Sequence, residues 1–149
     1  MAFDTDELNS SLRGELAAIE TYRQALEKSR SEHGNDPKFQ QLEKMLRNHE
    51  QAATQLQSLI QQNGGEPDTD SGAWGTWANT VMGASRLLGD RAALKALKEG
   101  EESGIKQYRS LIDDNDTPAD VRDVAMKLMK NDKEHCTRLD TMMETLETA

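Results

Sequence analysis

The sequence predicts an all-α fold, a four-helix bundle built from two copies of one helical hairpin. The first observation is an internal repeat. Residues 14–23 and 100–109 share Gly, Glu, Ile, Tyr and Arg at identical spacing. The match continues at the same offset, pairing Leu42 with Leu128, His49 with His135, Leu56 with Met142 and Ile60 with Leu146. A second observation is that apolar residues recur every three or four positions, as on one buried helix face. Self-similarity at a fixed offset indicates one supersecondary unit used twice.

Length, charge and cysteine content narrow the class of protein. With 149 residues the chain has the size of one domain, residues 1–149, and can bury a sizeable core. Its net charge of −9 argues against nucleic acid and anionic membranes as partners. No stretch is apolar enough for a transmembrane helix, and the acidic start lacks the pattern of a signal peptide. A single cysteine, Cys136, excludes an internal disulfide. These features predict a soluble cytoplasmic protein.

The first two helices are predicted near residues 5–32 and 37–62. Asp4 with Glu7 resembles an N-terminal capping box, Gly34 offers a C-terminal cap, and Pro37 suits the first position of the second helix. The apolar stripe of the first helix contains Leu8, Leu12, Leu16, Ile19, Tyr22 and Leu26. The second helix has Leu42, Met45, Leu46, Ala52, Ala53, Leu56 and Ile60 on one face. Two polar residues lie within these stripes, Glu15 on the first helix and His49 on the second.

Residues 63–89 interrupt the pattern. They begin with a Gly- and Asp-rich break and then carry Trp74 and Trp77 in a stripe that predicts a short helix over 72–88. This stripe is interpreted as core packing, with a partner or membrane surface as the alternative. Two further helices are predicted near 90–113, with Asp90 as N-cap, and near 118–147. Their apolar stripes are Leu94, Leu97, Ile105, Tyr108 and Ile112, and Val121, Val124, Leu128, Leu139, Met142 and Leu146.

The polar residues inside these stripes are expected to meet at mid-bundle. Residues equidistant from the turn of an antiparallel hairpin lie level, which pairs Glu15 with His49 and Glu101 with His135. Each pair is about 22 Å from its turn at 1.5 Å per residue. Residues 63–89 can run the length of the bundle, so the second hairpin can pack inverted on the first. In that arrangement all four residues converge.

Buried carboxylates and imidazoles are costly unless they are paired or bound to a metal. Asp132 precedes His135 by three residues, so both project from one helical face. One interpretation is a carboxylate–histidine site for a divalent metal ion, formed by Glu15, His49, Glu101, Asp132 and His135, with donors suited to Fe, Mn or Zn. The other is a metal-free network of Glu–His hydrogen bonds.

With these residues the sequence also resembles the ferritin-like superfamily, and within it the small uncharacterised bacterial four-helix-bundle proteins. The family's pattern is Glu-x6-Tyr on the first and third helices and Glu-x-x-His on the second and fourth, and Asp132 with His135 matches the latter in shortened form. It is carried by Glu15 with Tyr22, Glu101 with Tyr108, and Asp132 with His135. The resemblance implies a ferritin-like bundle with one long crossover between the second and third helices. In di-iron members, the glutamates of the first and third helices and both histidines are terminal ligands, and the acidic residues three before each histidine bridge the metals.

The sequence departs from that pattern at the two bridging positions. Leu46 occupies the position three before His49, and Asp132 is one methylene shorter than the usual Glu. The resemblance therefore implies a degenerate centre, either mononuclear or weakly dinuclear, in which Glu101, Asp132 and His135 form the better-equipped half. If the protein is an enzyme, it is expected to be an iron- or manganese-dependent oxidoreductase.

Three functions remain open from the sequence. The first is a ferritin-like metal-binding protein. The second is a degenerate, metal-free bundle that acts as a stress-associated or partner-binding scaffold through Trp74 and Trp77, and the third is a homo-oligomer assembled through that same helix. The two tyrosines of the repeat are interpreted as core residues with satisfied hydroxyl groups, with a redox role as the alternative. Cys136 is interpreted as structural, and His33 as a solvated residue near a turn.

Overall fold

The computed structural model describes residues 3–34, 36–70 and 89–148. These residues form four helices: α1 (Asp6–His33), α2 (Pro37–Gln62), α3 (Asp90–Asp113) and α4 (Ala119–Thr148). No strand occurs in this part of the chain. The predictions of an all-α fold and of four helices packed as a bundle are confirmed. The predicted short helix over 72–88, with Trp74 and Trp77, lies outside the described residues.

The residues at the helix ends agree with one predicted cap and differ from two others. Gly34 ends α1 at a positive φ of 62°, and its N–H bonds the carbonyl of Arg30 at 3.0 Å. The predicted capping box at the start of α1 is wrong, because Thr5 is the N-cap and no side chain caps the helix. The carboxylate of Asp4 accepts the backbone N–H of Asp6 instead, at 3.0 Å. The predicted N-cap of α3 is also wrong, since Gly89 holds that position and Asp90 is the first helical residue.

The helices pack so that each has two neighbours. α1 packs on α2 and α3, and α4 packs on the same two helices, whereas α2 and α3 lie diagonally opposite within the described chain. The Gln107 amide donates to the Ser10 hydroxyl at 2.7 Å, and the Tyr22 hydroxyl donates to Glu101 at 2.6 Å. Because the residue number rises along α1 while it falls along α3, these helices run antiparallel. α2 is also antiparallel to α1, so α2 and α3 run in the same direction.

The core consists of two apolar halves separated by a polar layer. One half contains Ala18, Tyr22, Leu26, Phe39, Leu42, Met45, Leu94, Ala96, Leu97, Leu139, Met142 and Met143. The other contains Leu8, Leu12, Ala52, Ala53, Leu56, Leu59, Ile60, Tyr108, Leu111, Val121, Ala125 and Leu128. Full burial of one such aliphatic side chain contributes about 1.5–3 kcal/mol. The two halves therefore stabilise the bundle on either side of the polar layer, which lies at mid-helix as predicted.

The buried face of α1 differs from the predicted stripe at two positions. Leu16 and Ile19 are only half-buried, whereas Ala17 and Ala18 are buried. Leu16 and Ile19 face a surface groove that is also lined by Thr69 and Asp70. Both residues also pack against the apolar half that contains Leu8 and Leu12, so they lie at the edge of the buried face. None of the described helices combines the length and the apolar character that crossing a membrane requires.

Candidate metal centre

The five residues that the sequence analysis selected lie together in the polar layer. Glu15 comes from α1, His49 from α2, Glu101 from α3, and Asp132 with His135 from α4. All are buried, with between 2% and 4% of their surface exposed. Each lies on the inward face of its helix between apolar residues, so the same periodicity that builds the core also brings these polar groups together.

His49 occupies the centre of this layer. Its Nδ1 lies 2.5 Å from Oε2 of Glu15, and its Nε2 lies 2.7 Å from Oε1 of Glu101. Both ring nitrogens thus face carboxylate acceptors, which requires both to carry protons. Burial by itself would lower the pKa of His49, but the charges of Glu101 and Glu15 outweigh burial and raise it well above its ordinary value. In the metal-free protein His49 is therefore an imidazolium held between two glutamates.

Glu101 accepts more hydrogen bonds than any other group described in the layer. Its Oε1 accepts from the Tyr22 hydroxyl at 2.6 Å, from His49 at 2.7 Å and from Nδ1 of His135 at 3.1 Å. Burial would raise the pKa of this carboxyl, but the charge of His49 and the hydrogen bonds from both histidines hold it well below its ordinary value. Its Oε2 is buried and has no hydrogen-bond partner among the described residues.

The two tyrosines cross between α1 and α3. Tyr22 of α1 donates to Glu101 of α3, and Tyr108 of α3 donates to Glu15 of α1 at 2.5 Å. Burial and the neighbouring carboxylate charges raise the pKa of both phenols well above their ordinary value. Both hydroxyl groups are satisfied, as the core interpretation predicted. That each tyrosine bonds the glutamate of the other helix could not be predicted from the repeat.

His135 is oriented by a residue that the sequence analysis missed. The amide of Asn48 donates to Nε2 of His135 at 3.0 Å, so the ring proton is on Nδ1, which donates to Glu101. Asn48 directly precedes His49 on α2, and a polar residue beside a predicted buried histidine was the only available signal. Asp132 lies one turn before His135, and burial followed by the charges of Glu101 and Glu15 raises the pKa of Asp132 well above its ordinary value.

Four of the five side chains can offer donor atoms to one ion. One donor atom each from His49, Glu101, Asp132 and His135 lies within 4.8 Å of the other three. Donors bound to a single ion at about 2.1 Å lie at most about 4.2 Å apart, and adjacent donors lie closer than that, so the four side chains would have to move together to bind a metal. The unpartnered Oε2 of Glu101 is a further available donor. Glu15, the fifth predicted ligand, is outside the group and bonds Tyr108 and His49 instead.

A second group of metal-binding residue types lies at the surface. Glu32, His33 and Asp90 come together where α1 ends and α3 begins. His33 is exposed but not merely solvated, because its ring stacks on Phe39 with centroids 4.8 Å apart and its Nε2 lies 2.8 Å from Asp90. Exposed groups of this kind are common in proteins without a metal. A substitution in this surface group can therefore serve as a control for a substitution in the buried layer.

Two further residues from the sequence analysis lie near the layer. Leu46 is half-buried and packs against the apolar half that contains Leu42 and Met45. Cys136 is half-buried, and burial together with the charge of Glu101 raises the pKa of its thiol to about 12. Nucleophilic catalysis and metal binding by cysteine need the thiolate. This pKa agrees with a structural role for Cys136.

Comparison with protein families gives a match over most of the chain. The sequence model of a family described as "Domain of unknown function (DUF2383)" matches residues 5–114. The chain belongs to this family. The match includes α1, α2 and α3, and hence Glu15, His49 and Glu101, whereas Asp132 and His135 lie beyond it on α4. No curated protein and no solved structure matches the chain.

Proposed function

We propose that this member of the DUF2383 family is a ferritin-like bundle that binds one divalent metal ion, Fe(II) or Mn(II), in its buried polar layer. The observation that carries the proposal is the convergence of four buried donor groups, two imidazoles and two carboxylates, within 4.8 Å. Mixed nitrogen and oxygen donors of this kind suit Fe(II) and Mn(II), and Zn(II) is the main competitor. A bound Fe(II) or Mn(II) ion would supply a Lewis acid with redox capacity.

The direction of the helices supports the ferritin-like part of this proposal. α2 and α3 run in the same direction on opposite corners of the bundle, so the connection between them has to pass from one end of the bundle to the other. Gly65, after α2, lies against Thr5 at the start of α1. Asp90, at the start of α3, bonds His33 at the end of α1. A single long crossover between two inverted hairpins is the ferritin-like connection.

Each residue of the layer has a distinct part in the proposed site. His49, Glu101, Asp132 and His135 are the proposed ligands. Asn48 fixes the tautomer of His135 that leaves Nδ1 facing Glu101, and Glu15 orients the His49 ring by accepting from it. Both histidine nitrogens that face the ion must lose their protons when the metal binds, so a metal ion competes with the protons that the layer holds in its absence.

A second function, that of a metal-free bundle acting through partners, is favoured by one specific observation. All four ring nitrogens of His49 and His135 have hydrogen-bond partners without any ion. The layer is therefore satisfied well enough for the protein to fold and persist without metal. This alternative predicts a bundle that retains no ion under any condition.

The deciding experiment measures the metal content and the binding stoichiometry of protein purified without chelators. We expect one Fe(II) or Mn(II) ion per chain by elemental analysis and by anaerobic titration. His135→Gln should abolish binding, whereas His33→Gln, which alters the surface group, should leave it unchanged. Binding that survives His135→Gln but is lost in His33→Gln would assign the ion to the surface, and absence of binding in the wild type would favour the metal-free function.

A further inference from the structure

A cavity opens beside the polar layer between α1 and α3. Its walls are Ser10, Ser11, Gly14, Glu15, Ala18, His49, Gly100, Glu101, Gly104, Gln107, Tyr108 and Asp132. Three of these, His49, Glu101 and Asp132, are proposed metal ligands, so the cavity is continuous with the candidate centre. Its volume of ≈ 30 Å³ has room for about two water-sized groups. Gly14, Gly100 and Gln107 are only half-buried, which puts the outer end of the cavity at the protein surface.

The cavity is maintained by glycine at a cost to the helices. Gly14, Gly100 and Gly104 are the three glycines within the four described helices, and all three line this cavity. A glycine inside a helix is about 1 kcal/mol less favourable than alanine. At Gly104 a Cβ would lie 2.7 Å from Oδ2 of Asp132, so the missing side chain also makes room for that carboxylate. The small residues thus keep open a space that larger residues would fill.

Two buried polar atoms in the cavity wall lack partners. Oγ of Ser11 and Oε2 of Glu101 have no hydrogen-bond partner in the described chain, although the two residues are only 4% and 3% exposed. A buried polar group left without a partner is strongly unfavourable, so native proteins rarely leave one without an occupant to satisfy it. The hydroxyl group of Ser11 can donate or accept, whereas a carboxylate oxygen such as Oε2 of Glu101 accepts. An occupant that satisfies both must carry at least one hydrogen-bond donor.

Charge restricts the occupant further. Glu15, Glu101 and Asp132 place three carboxyl groups in the wall, and Tyr108 adds a hydroxyl that is already committed to Glu15. An anion would meet unfavourable charge, and the one basic side chain in the wall, His49, already has both ring nitrogens engaged by Glu15 and Glu101. The wall therefore selects for a neutral molecule with an O–H group and against an anion of the same size.

We propose that this cavity binds a neutral hydroxylic molecule of about two non-hydrogen atoms, the size of methanol or hydrogen peroxide, beside the metal centre. Its hydroxyl group donates to Oε2 of Glu101, and its oxygen accepts from Ser11. The inference rests on the proposed function for the role of this molecule, which would be an exogenous ligand at the metal. The cavity, the glycines and the two unpartnered atoms are features of the protein without metal.

The test uses metal-free protein, so that its outcome does not depend on the proposed metal binding. Amide resonances of 15N-labelled protein are followed while methanol is added, with acetonitrile as a neutral probe without a donor and azide as a small anion. We expect saturable shifts confined to the amides of Ser11, Gly100, Glu101 and Gly104 with methanol alone. Half-saturation should fall in the millimolar range or above, the ceiling for so small a ligand.

Variants of the wall make the test specific. Gly100→Leu should abolish the methanol shifts, and the smaller Gly100→Ala, which favours the helix, should weaken them if the leucine variant fails to fold. Ser11→Ala should weaken binding by roughly two- to tenfold through the loss of one hydrogen bond. Lys106→Leu adds the same side chain to an exposed part of α3 and should change nothing.

Several results would overturn the proposal. Equal shifts with acetonitrile would show that no donor is needed, and equal shifts with azide would show that the wall does not select against anions. Unchanged affinity in Gly100→Leu would place the binding elsewhere. If added Mn(II) reached two ions per chain and removed the methanol shifts, the cavity would hold a second cation rather than a neutral molecule.

Discussion

Gly104 on α3 lies directly against the carboxylate of Asp132 on α4, so closely that a Cβ on residue 104 would lie 2.7 Å from Oδ2.

Gly104→Ala must therefore displace a proposed metal ligand. We expect metal affinity to fall by at least tenfold, although alanine favours the helix by about 1 kcal/mol. Titration with Mn(II) measures the affinity. Ser103→Ala is the matched control, because alanine also favours the helix there, and the Ser103 hydroxyl donates to the carbonyl of Glu99 rather than to a residue of the polar layer. Equal affinity in the two variants would show that Asp132 is not held in place by this contact.

The crossed tyrosines predict unequal losses of stability. Tyr108→Phe leaves Oε1 of Glu15 without its donor, which should destabilise the metal-free protein by roughly 1.5–3 kcal/mol. Tyr22→Phe should cost less, because Oε1 of Glu101 keeps two other donors, His49 and His135. Urea unfolding at neutral pH measures both changes in the free energy of unfolding. A larger loss for Tyr22→Phe would contradict the hydrogen-bond assignment of the layer.

Metal should stabilise the folded protein by mass action. At a free Mn(II) concentration 100 times the dissociation constant, the free energy of unfolding should rise by about 2.7 kcal/mol. The same addition should have no effect on His135→Gln and the full effect on His33→Gln. Thermal or urea unfolding with and without a chelator measures the difference. A gain that persists in His135→Gln would mean that the ion stabilises the protein from outside the layer.

The stability of the metal-free protein should fall as the pH rises from about 6.5, the ordinary pKa of histidine, into the alkaline range. Folding raises the pKa of His49, so its contribution is complete below the unfolded value and is lost as the pH rises through the folded value. Folding also raises the pKa of Asp132, which loses its contribution in the same direction. Folding lowers the pKa of Glu101, whose contribution is lost only in acid. Urea unfolding across this range measures the slope, and His49→Gln should reduce it; a rising slope would contradict the protonated layer.

A substitution at Leu46 tests whether a missing carboxylate limits the number of metal ions that the centre binds. Leu46→Glu places an acidic residue three before His49, as Asp132 stands three before His135, and should raise uptake toward two Fe(II) per chain. The loss of a half-buried leucine should cost roughly 1 kcal/mol of stability. Leu46→Gln is the control, since it makes the same change in size and polarity without the charge. Two tightly bound ions in the wild type would show that Leu46 does not limit the site.

The helices were predictable from the sequence because local signals agreed with one another. Apolar spacing, Gly34 and Pro37 predicted α1 and α2 to within a residue or two of the observed ends. The polar layer was also predictable, since a charged residue inside an apolar stripe has to be buried with a partner. The inward face of α1 was less predictable, because alanine and leucine are both acceptable there and the packing of neighbouring helices decides between Ala18 and Leu16.

The features that the sequence could not predict are contacts between side chains of different helices. That Tyr22 bonds Glu101 rather than Glu15 depends on how α1 and α3 lie against each other. Asn48 was missed for the same reason, since its partner His135 is on α4. Gly104 looked like an ordinary small residue, and its contact with Asp132 depends on the distance between two backbones. The repeat predicted which residues meet, but not which atoms.

The crossed pairs also fix how far each helix can slide along its neighbour. Leucine faces tolerate a shift of one turn, about 5.4 Å, because another leucine arrives in the same place. The same shift of α1 along α3 would separate Tyr22 from Glu101 and Tyr108 from Glu15 together, and would leave both buried phenol hydroxyl groups without their acceptors. A single polar position can specify the axial register of packed helices in this way. The layer thus gives the bundle one alignment, which its apolar halves alone would leave undecided.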